Sequence, residues 1–142
     1  MKFSNTITID RQPAEVFAFL AQLENLPRWN YAISETRKIT PGPVGIGSTY
    51  AQIRMLPTAS TESLEITAYL LDQTLSVRGG FGPMSGTATY LLEPIGTSTR
   101  LTNVMDLEPS GILAIVALFT SAQIKSAVSA NLSVLKGIVE GL

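Results

Sequence analysis

Gly111–Leu142 reads GILAIVALFTSAQIKSAVSANLSVLKGIVEGL, and its reading decides how the rest of the chain must be arranged. It holds no proline, and its later glycines, Gly137 and Gly141, fall in the last two turns. The spacing predicts one long helix, on the order of 45 Å at about 1.5 Å per residue. From Ile124 the apolar positions Val128, Leu132, Leu135, Val139 and Leu142 recur at steps of three or four and make one stripe. Ile112 to Phe119 differs, being apolar on every side, as in a helix that is buried or borders something apolar. That surface is expected to contact a second copy of the chain, as a homodimer, or to cap a pocket mouth. Nearly everything before it reads as short strands. The picture is a sheet closing on this helix, and the question of function is what fills the space between them.

Composition narrows the answer. With 142 residues the chain is read as one domain, 1–142, able to bury roughly 70% of its unfolded surface in a single core. The net charge is −1 and there is no run of Lys or Arg, which argues against nucleic acid and anionic membranes as partners. The start, MKFSNTITID, has no apolar signal segment, so a cytoplasmic protein is expected. The uncharged run from Pro109 to Gln123 is too short to span a bilayer, so no stable membrane insertion is expected. Cysteine and histidine are both absent. That removes thiolate and imidazole chemistry, Ser-His triads and the usual zinc sites, and no cofactor or metal is expected. Acid–base chemistry would fall to carboxylates, Tyr or Lys.

In chain order, Lys2 to Asp10 alternates, with Phe3, Ile7 and Ile9 on one face and Thr6 and Thr8 on the other, which predicts a strand. Asp10 is placed to cap a helix whose first turn holds Pro13. Val16, Phe17, Leu20 and Leu23 make its buried face, and Glu24 to Asn30 forms a short second turn carrying the lone tryptophan, Trp29. Trp29 reads as either a core plug or a ligand contact.

From Pro13 to Asn30, PAEVFAFLAQLENLPRWN resembles the opening of the START-like (SRPBCC) superfamily, and most closely its polyketide cyclase/dehydrase and lipid-transport family. Pro41 to Ser48 resembles that family's glycine-rich turn before the third strand. Tyr90 to Pro94 with Gly96 to Thr102 resembles its last hairpin, and Asn131 to Lys136 the end of its long helix. The resemblance covers the whole chain and implies an α+β helix-grip fold. In that fold a curved seven-stranded antiparallel sheet wraps the C-terminal helix, with two short helices between strands one and two and a cavity between sheet and helix. The fold hosts carriers and cyclases alike, so the resemblance implies a fold more than a function. One departure stands out: the family often carries Arg and Lys through the middle of that helix, whereas only Lys125 lies between Gly111 and Lys136 here.

Alternation assigns the strand faces. Ala51, Ile53 and Met55 are read as inward in the third strand, and Leu64, Ile66, Ala68 and Leu70 in the fourth. Leu75 and Val77 follow in the fifth, Ala88, Tyr90 and Leu92 in the sixth, and Leu101, Asn103, Met105 and Leu107 in the seventh. Gln52, Arg54, Glu65 and Arg78 fall on the outer face, so this assignment leaves no acid, base or cation aimed inward. The second strand, Tyr31 to Thr40, alternates too poorly to be assigned. Gly79 to Gly86 is read as a loop, with Phe81 and Met84 as a lid or as core edge.

Tyr90 and Asn103 interrupt the inner face. A two-residue turn at Ile95-Gly96 would set Ala88 opposite Asn103, and a looser loop would set Tyr90 there; either way the phenol and the amide converge. They are either a structural hydrogen bond or the polar end of a site. The expected ligand-binding set is Trp29, Met55, Phe81, Met84, Tyr90, Asn103, Met105 and Phe119, around a small hydrophobic molecule. The leading function is binding or carriage of such a molecule, with a polyketide cyclase/dehydrase-type enzyme or a protein-interaction module as alternatives. No catalytic residue is identified.

Overall fold

The computed structural model describes residues 1–109 and 121–142. Period-two alternation becomes strand over Lys2–Ile9 (β1), where Phe3, Ile7 and Ile9 turn inward and Lys2, Thr6 and Thr8 outward. Helix α1, Pro13–Ala21, takes Pro in its first turn and buries Val16, Phe17 and Leu20. Its N-cap is Gln12, with no side-chain cap. The expected cap, Asp10, accepts a hydrogen bond from Ser98 Oγ (3.1 Å) instead and so ties the helix entry to the sheet. A 3₁₀ turn, Leu23–Asn25, and helix α2, Leu26–Trp29, complete the two short helices.

The remaining strands are Ile33–Lys38 (β2), Thr49–Arg54 (β3), Ser60–Leu70 (β4), Thr74–Phe81 (β5), Met84–Ile95 (β6) and Ser98–Pro109 (β7). They form one sheet in the order β1-β7-β6-β5-β4-β3-β2, with every neighbouring pair antiparallel. The C-terminal helix α3 is described over Ser121–Glu140 and ends at the Gly141 turn. The expected beginning of this helix, Gly111 to Thr120, lies outside the described residues, and with it the all-round apolar surface from Ile112 to Phe119. Leu132, Leu135 and Val139 are buried on the stripe that the spacing marks. They join Phe17, Leu20, Ile66, Leu75 and Leu101 in the main core.

Two irregularities shift the faces. A bulge between Ile33 and Glu35 breaks the alternation of β2, so that Ile33 and Thr36 are its buried residues. A second, between Ile66 and Ala68, turns Tyr69 toward the core, edge-on to Phe17 with ring centroids 5.2 Å apart. Leu70, expected inside, is exposed as a result. Neighbouring backbone approaches closely where Gly79 pairs with Gly86. A Cβ on Gly79 would stand 2.2 Å from Ser63 O, and one on Gly86 2.0 Å from Asp106 O, so both positions admit only glycine. Gly79 to Gly86 is therefore not a loop. Both strands run on to Phe81 and Met84, joined by the two-residue turn Gly82-Pro83.

The far end of α3 is latched to the β1–α1 corner. Lys136 Nζ donates to Thr8 O (2.6 Å) and to Glu140 Oε2 (2.6 Å), and the same carboxylate oxygen accepts from Asp10 N (2.7 Å). Arg11 reaches the backbone carbonyl of Glu140. The Lys136 hydrogen bond first, then the Asp10 N–H, hold Glu140 below the usual carboxylate range. A carboxylate depressed in the folded state contributes stability above its unfolded-state pKa and loses it as pH falls through the folded pKa. Wild type is accordingly expected to be more stable than Glu140→Gln by a constant margin from about pH 8 to pH 6, a margin that shrinks as the pH falls below the ordinary glutamate value of about 4.3. Denaturant unfolding of both proteins across that range checks it.

Candidate functional site

Between the concave face of the sheet and α3 lies a cavity of about 400 Å³. Its walls are mostly apolar: Leu20, Leu23 and Leu26 from the short helices, Leu64, Val77, Ala88 and Leu107 from the sheet, Ile124, Ala127, Val128 and Leu132 from α3. Of the eight residues expected to form one site, six lie on this wall: Trp29, Phe81, Met84, Tyr90, Asn103 and Met105. Phe119 lies outside the described residues. Met55 is a correction. It does not line the cavity and is 51% exposed, because β3 presents the opposite face to the one its apolar residues suggest.

The inward residues of β3 are Tyr50, Gln52 and Arg54, while Ile53 is exposed. Polar side chains take the inner face because they satisfy one another there. Glu62, on the inner face of β4, accepts from Gln52 Nε2 through Oε1 (2.9 Å). Its Oε2 accepts from Arg54 Nε (2.8 Å) and from the backbone N–H of Gly82 (2.6 Å). Gln52 Oε1 accepts in turn from Thr36 Oγ1 (3.1 Å) on β2. All four side chains are buried. A buried ion pair recovers its desolvation cost only when the remaining lone pairs and protons are also satisfied. Here one carboxylate receives three donors, a set that links β2, β3, β4 and the tip of the β5–β6 hairpin.

This overturns the expectation that Arg54 faces outward and that no charged group lies inside. Gln52 and Arg54 line the cavity, and Glu62 sits behind them, off the lining. Two signals in the sequence point this way. Glu62 has the same parity as the inward Leu64 and Ile66, and Tyr50 is the bulkiest side chain of β3. The outer pairs do behave as expected: Arg78 meets Glu65 at 2.7 Å and Arg100 meets Glu93 at 3.0 Å, all exposed.

Tyr90 pairs directly with Asn103 across β6 and β7, the looser of the two registers considered, although the connection is still a two-residue turn at Gly96-Thr97. Trp29 is 6% exposed and lies edge-on to Tyr90, with ring centroids 6.3 Å apart, so it is core plug and cavity wall at once. Burial pushes the Tyr90 hydroxyl well above its ordinary value, which keeps it neutral and makes it a poor base. Asn103 Nδ2 donates to Thr89 O (3.3 Å), while its Oδ1 is buried without a partner among the described residues. Asn131, on α3, also lines the cavity and has a buried, unpartnered Oδ1. Helical periodicity alone does not mark Asn131, since it stands beside the apolar stripe. A third unpartnered group, the Tyr50 hydroxyl, is pushed up to about 12 by burial, then by Glu24 and Tyr69, and is not on the cavity wall.

Phe81 and Met84 flank the Gly82-Pro83 turn, which Glu62 pins through the Gly82 N–H, so these two side chains belong to the wall. Among the described residues, no helix is long and apolar enough to cross a membrane.

A sequence model of the family described as "Polyketide cyclase / dehydrase and lipid transport" matches residues 1–140. No curated protein matches the sequence. Among solved structures the chain is similar to the Zhui aromatase/cyclase from Streptomyces sp. R1128, with a TM-score of 0.80 at 12% identity over 99% of this chain and 93% of that one. It is similar to TTHA0849 from Thermus thermophilus, with a TM-score of 0.75 at 14% identity, over 98% of this chain and 97% of that one. Ginseng major latex-like protein 151 from Panax ginseng gives 0.73 at 14%, over 97% and 96%. At these identities the likeness establishes the helix-grip fold alone.

Removing one partner of a buried pair strands the other's charge. Arg54→Leu is therefore expected to cost about 3–5 kcal/mol. Adding Glu62→Gln should recover most of that loss, because an amide oxygen still accepts from Gln52 or Gly82 and no charge is left buried. Urea unfolding of both variants measures the difference.

Proposed function

This chain belongs to the polyketide cyclase/dehydrase and lipid transport family, and we propose that it binds and carries a small lipophilic molecule in the cavity between the sheet and α3. The observation that carries this reading is a cavity of about 400 Å³ with apolar walls and a few convergent polar groups. Size sets what the walls can contribute. A ligand hiding about 300 Å² of apolar surface gains roughly 7 kcal/mol at 25 cal/mol per Å², and lost translational and rotational freedom removes at least about 4 of that. Apolar contact alone thus gives weak binding, and the polar groups decide which ligand is held. Arg54, Tyr90, Asn103 and Asn131 are among those groups.

Carriage is preferred over turnover because of how the titratable groups are held. A cyclase or dehydrase needs an acid or base free to exchange a proton with substrate. Among the described residues the carboxylate found on the inner face, Glu62, already accepts three hydrogen bonds and lies off the lining, and Tyr90 is held neutral. These groups suit orientation better than proton transfer.

The test is to fill the cavity without disturbing its frame. Ala127 lies on the α3 wall, and Ala127→Phe directs a ring into the space. Binding of an anilinonaphthalene sulfonate probe, followed by energy transfer from Trp29, is expected to weaken at least tenfold while stability stays within about 1.5 kcal/mol of wild type. Undiminished probe binding in a stable Ala127→Phe protein would contradict the reading.

A further inference from the structure

Among the described residues, two that line the cavity have a buried amide oxygen with no hydrogen-bond donor: Asn103 on the sheet wall and Asn131 on the helix wall. Nearly all buried polar atoms in folded proteins have partners, and those that lack one call for an explanation. The two residues are only 1% and 8% exposed, so bulk solvent is not the answer. For Asn103 the orientation of the amide is settled locally. Its Nδ2 donates to Thr89 O, and a flipped amide would set two carbonyl oxygens against each other. The oxygen is therefore what this side chain has left for an occupant of the cavity.

Resting on the carrier reading, we infer that the molecule held here is a hydroxylated lipophile, whose hydroxyl groups donate to Asn103 and Asn131. An acceptor-only ligand such as a ketone or ether leaves both oxygens unpaired, and a hydrocarbon does the same. A protonated amine would also donate, but among the described residues no carboxylate lies on the cavity wall to pair with it, and an unpaired buried cation is costly. A neutral hydroxyl meets neither objection. It also suits Tyr90, directly paired with Asn103, whose own hydroxyl both donates and accepts.

Naphthol and the methylnaphthalene of the same substitution pattern differ by a hydroxyl in place of a methyl, with nearly equal shape. A purely apolar cavity favours methylnaphthalene, because naphthol is better solvated in water. The wild-type protein is expected to reverse this and bind naphthol roughly tenfold tighter, by quenching of Trp29 or by calorimetry. Asn103→Leu is expected to restore the preference for methylnaphthalene, and Asn131→Leu to do so in part, which also covers the case in which the first variant fails to fold. A wild-type protein that binds both probes but favours methylnaphthalene overturns the inference and leaves the carrier reading standing. Naphthol preference that survives in both folded variants overturns the assignment to these amides. Binding of neither probe overturns both proposals together.

Discussion

One carboxylate holds the concave side of this fold in register. Glu62 is buried on β4 and receives hydrogen bonds from Gln52, Arg54 and the Gly82 backbone, with Thr36 joined through Gln52. A carboxylate in that position without donors would cost several kcal/mol. The donors it has come from separate parts of the sheet, so β2, β3 and the β5–β6 hairpin must each sit in one place relative to β4. The glycine pair at Gly79 and Gly86 permits the close backbone packing next to that hairpin tip. At the other end of the molecule, Lys136, Glu140 and Arg11 fasten α3 to the β1–α1 corner. A sheet fixed through Glu62 and a helix fixed at its end leave a gap between them that the intervening side chains do not fill.

The same constraint explains which parts of the fold are legible in the sequence. Strands β1, β6 and β7 alternate cleanly, so their inward residues, from Ile9 through Tyr90 and Asn103 to Leu107, can be read directly. The family resemblance carries the topology, and the helix-grip architecture it implies is the one observed. Strand β3 is not legible by the same rule. Its apolar positions, Ala51 and Ile53, point away from the cavity, and its buried positions carry an amide and a guanidinium. Hydrophobic alternation reads burial from apolarity, and it fails where polar groups are buried because they satisfy each other. The bulges at Ile33/Glu35 and Ile66/Ala68 defeat it for another reason, since one extra residue reverses the faces beyond it. The first failure misplaces Met55 and the second Leu70.

The polar residues on the cavity wall divide by how well they are satisfied. Gln52 and Arg54 commit hydrogen bonds to Glu62 and stabilise the frame. Among the described residues, Asn103 and Asn131 each keep a buried oxygen without a donor, and Tyr90 keeps a neutral hydroxyl beside Asn103. A frame that is satisfied internally and a wall that is not is the arrangement expected of a receptor whose last partners come from outside. A packed core would instead have matched or omitted these groups.

The four methionines test the central claim, that the gap between sheet and helix is a binding cavity. Met84 and Met105 line it, whereas Met55 and Met1 are exposed on other surfaces. Methyl resonances of methionine-labelled protein, followed during titration with naphthol, report all four sites at once. Saturable shifts are expected at Met84 and Met105, with Met1 and Met55 nearly still. Shifts confined to Met55 or spread evenly over all four, or none at Met84 and Met105, would contradict it.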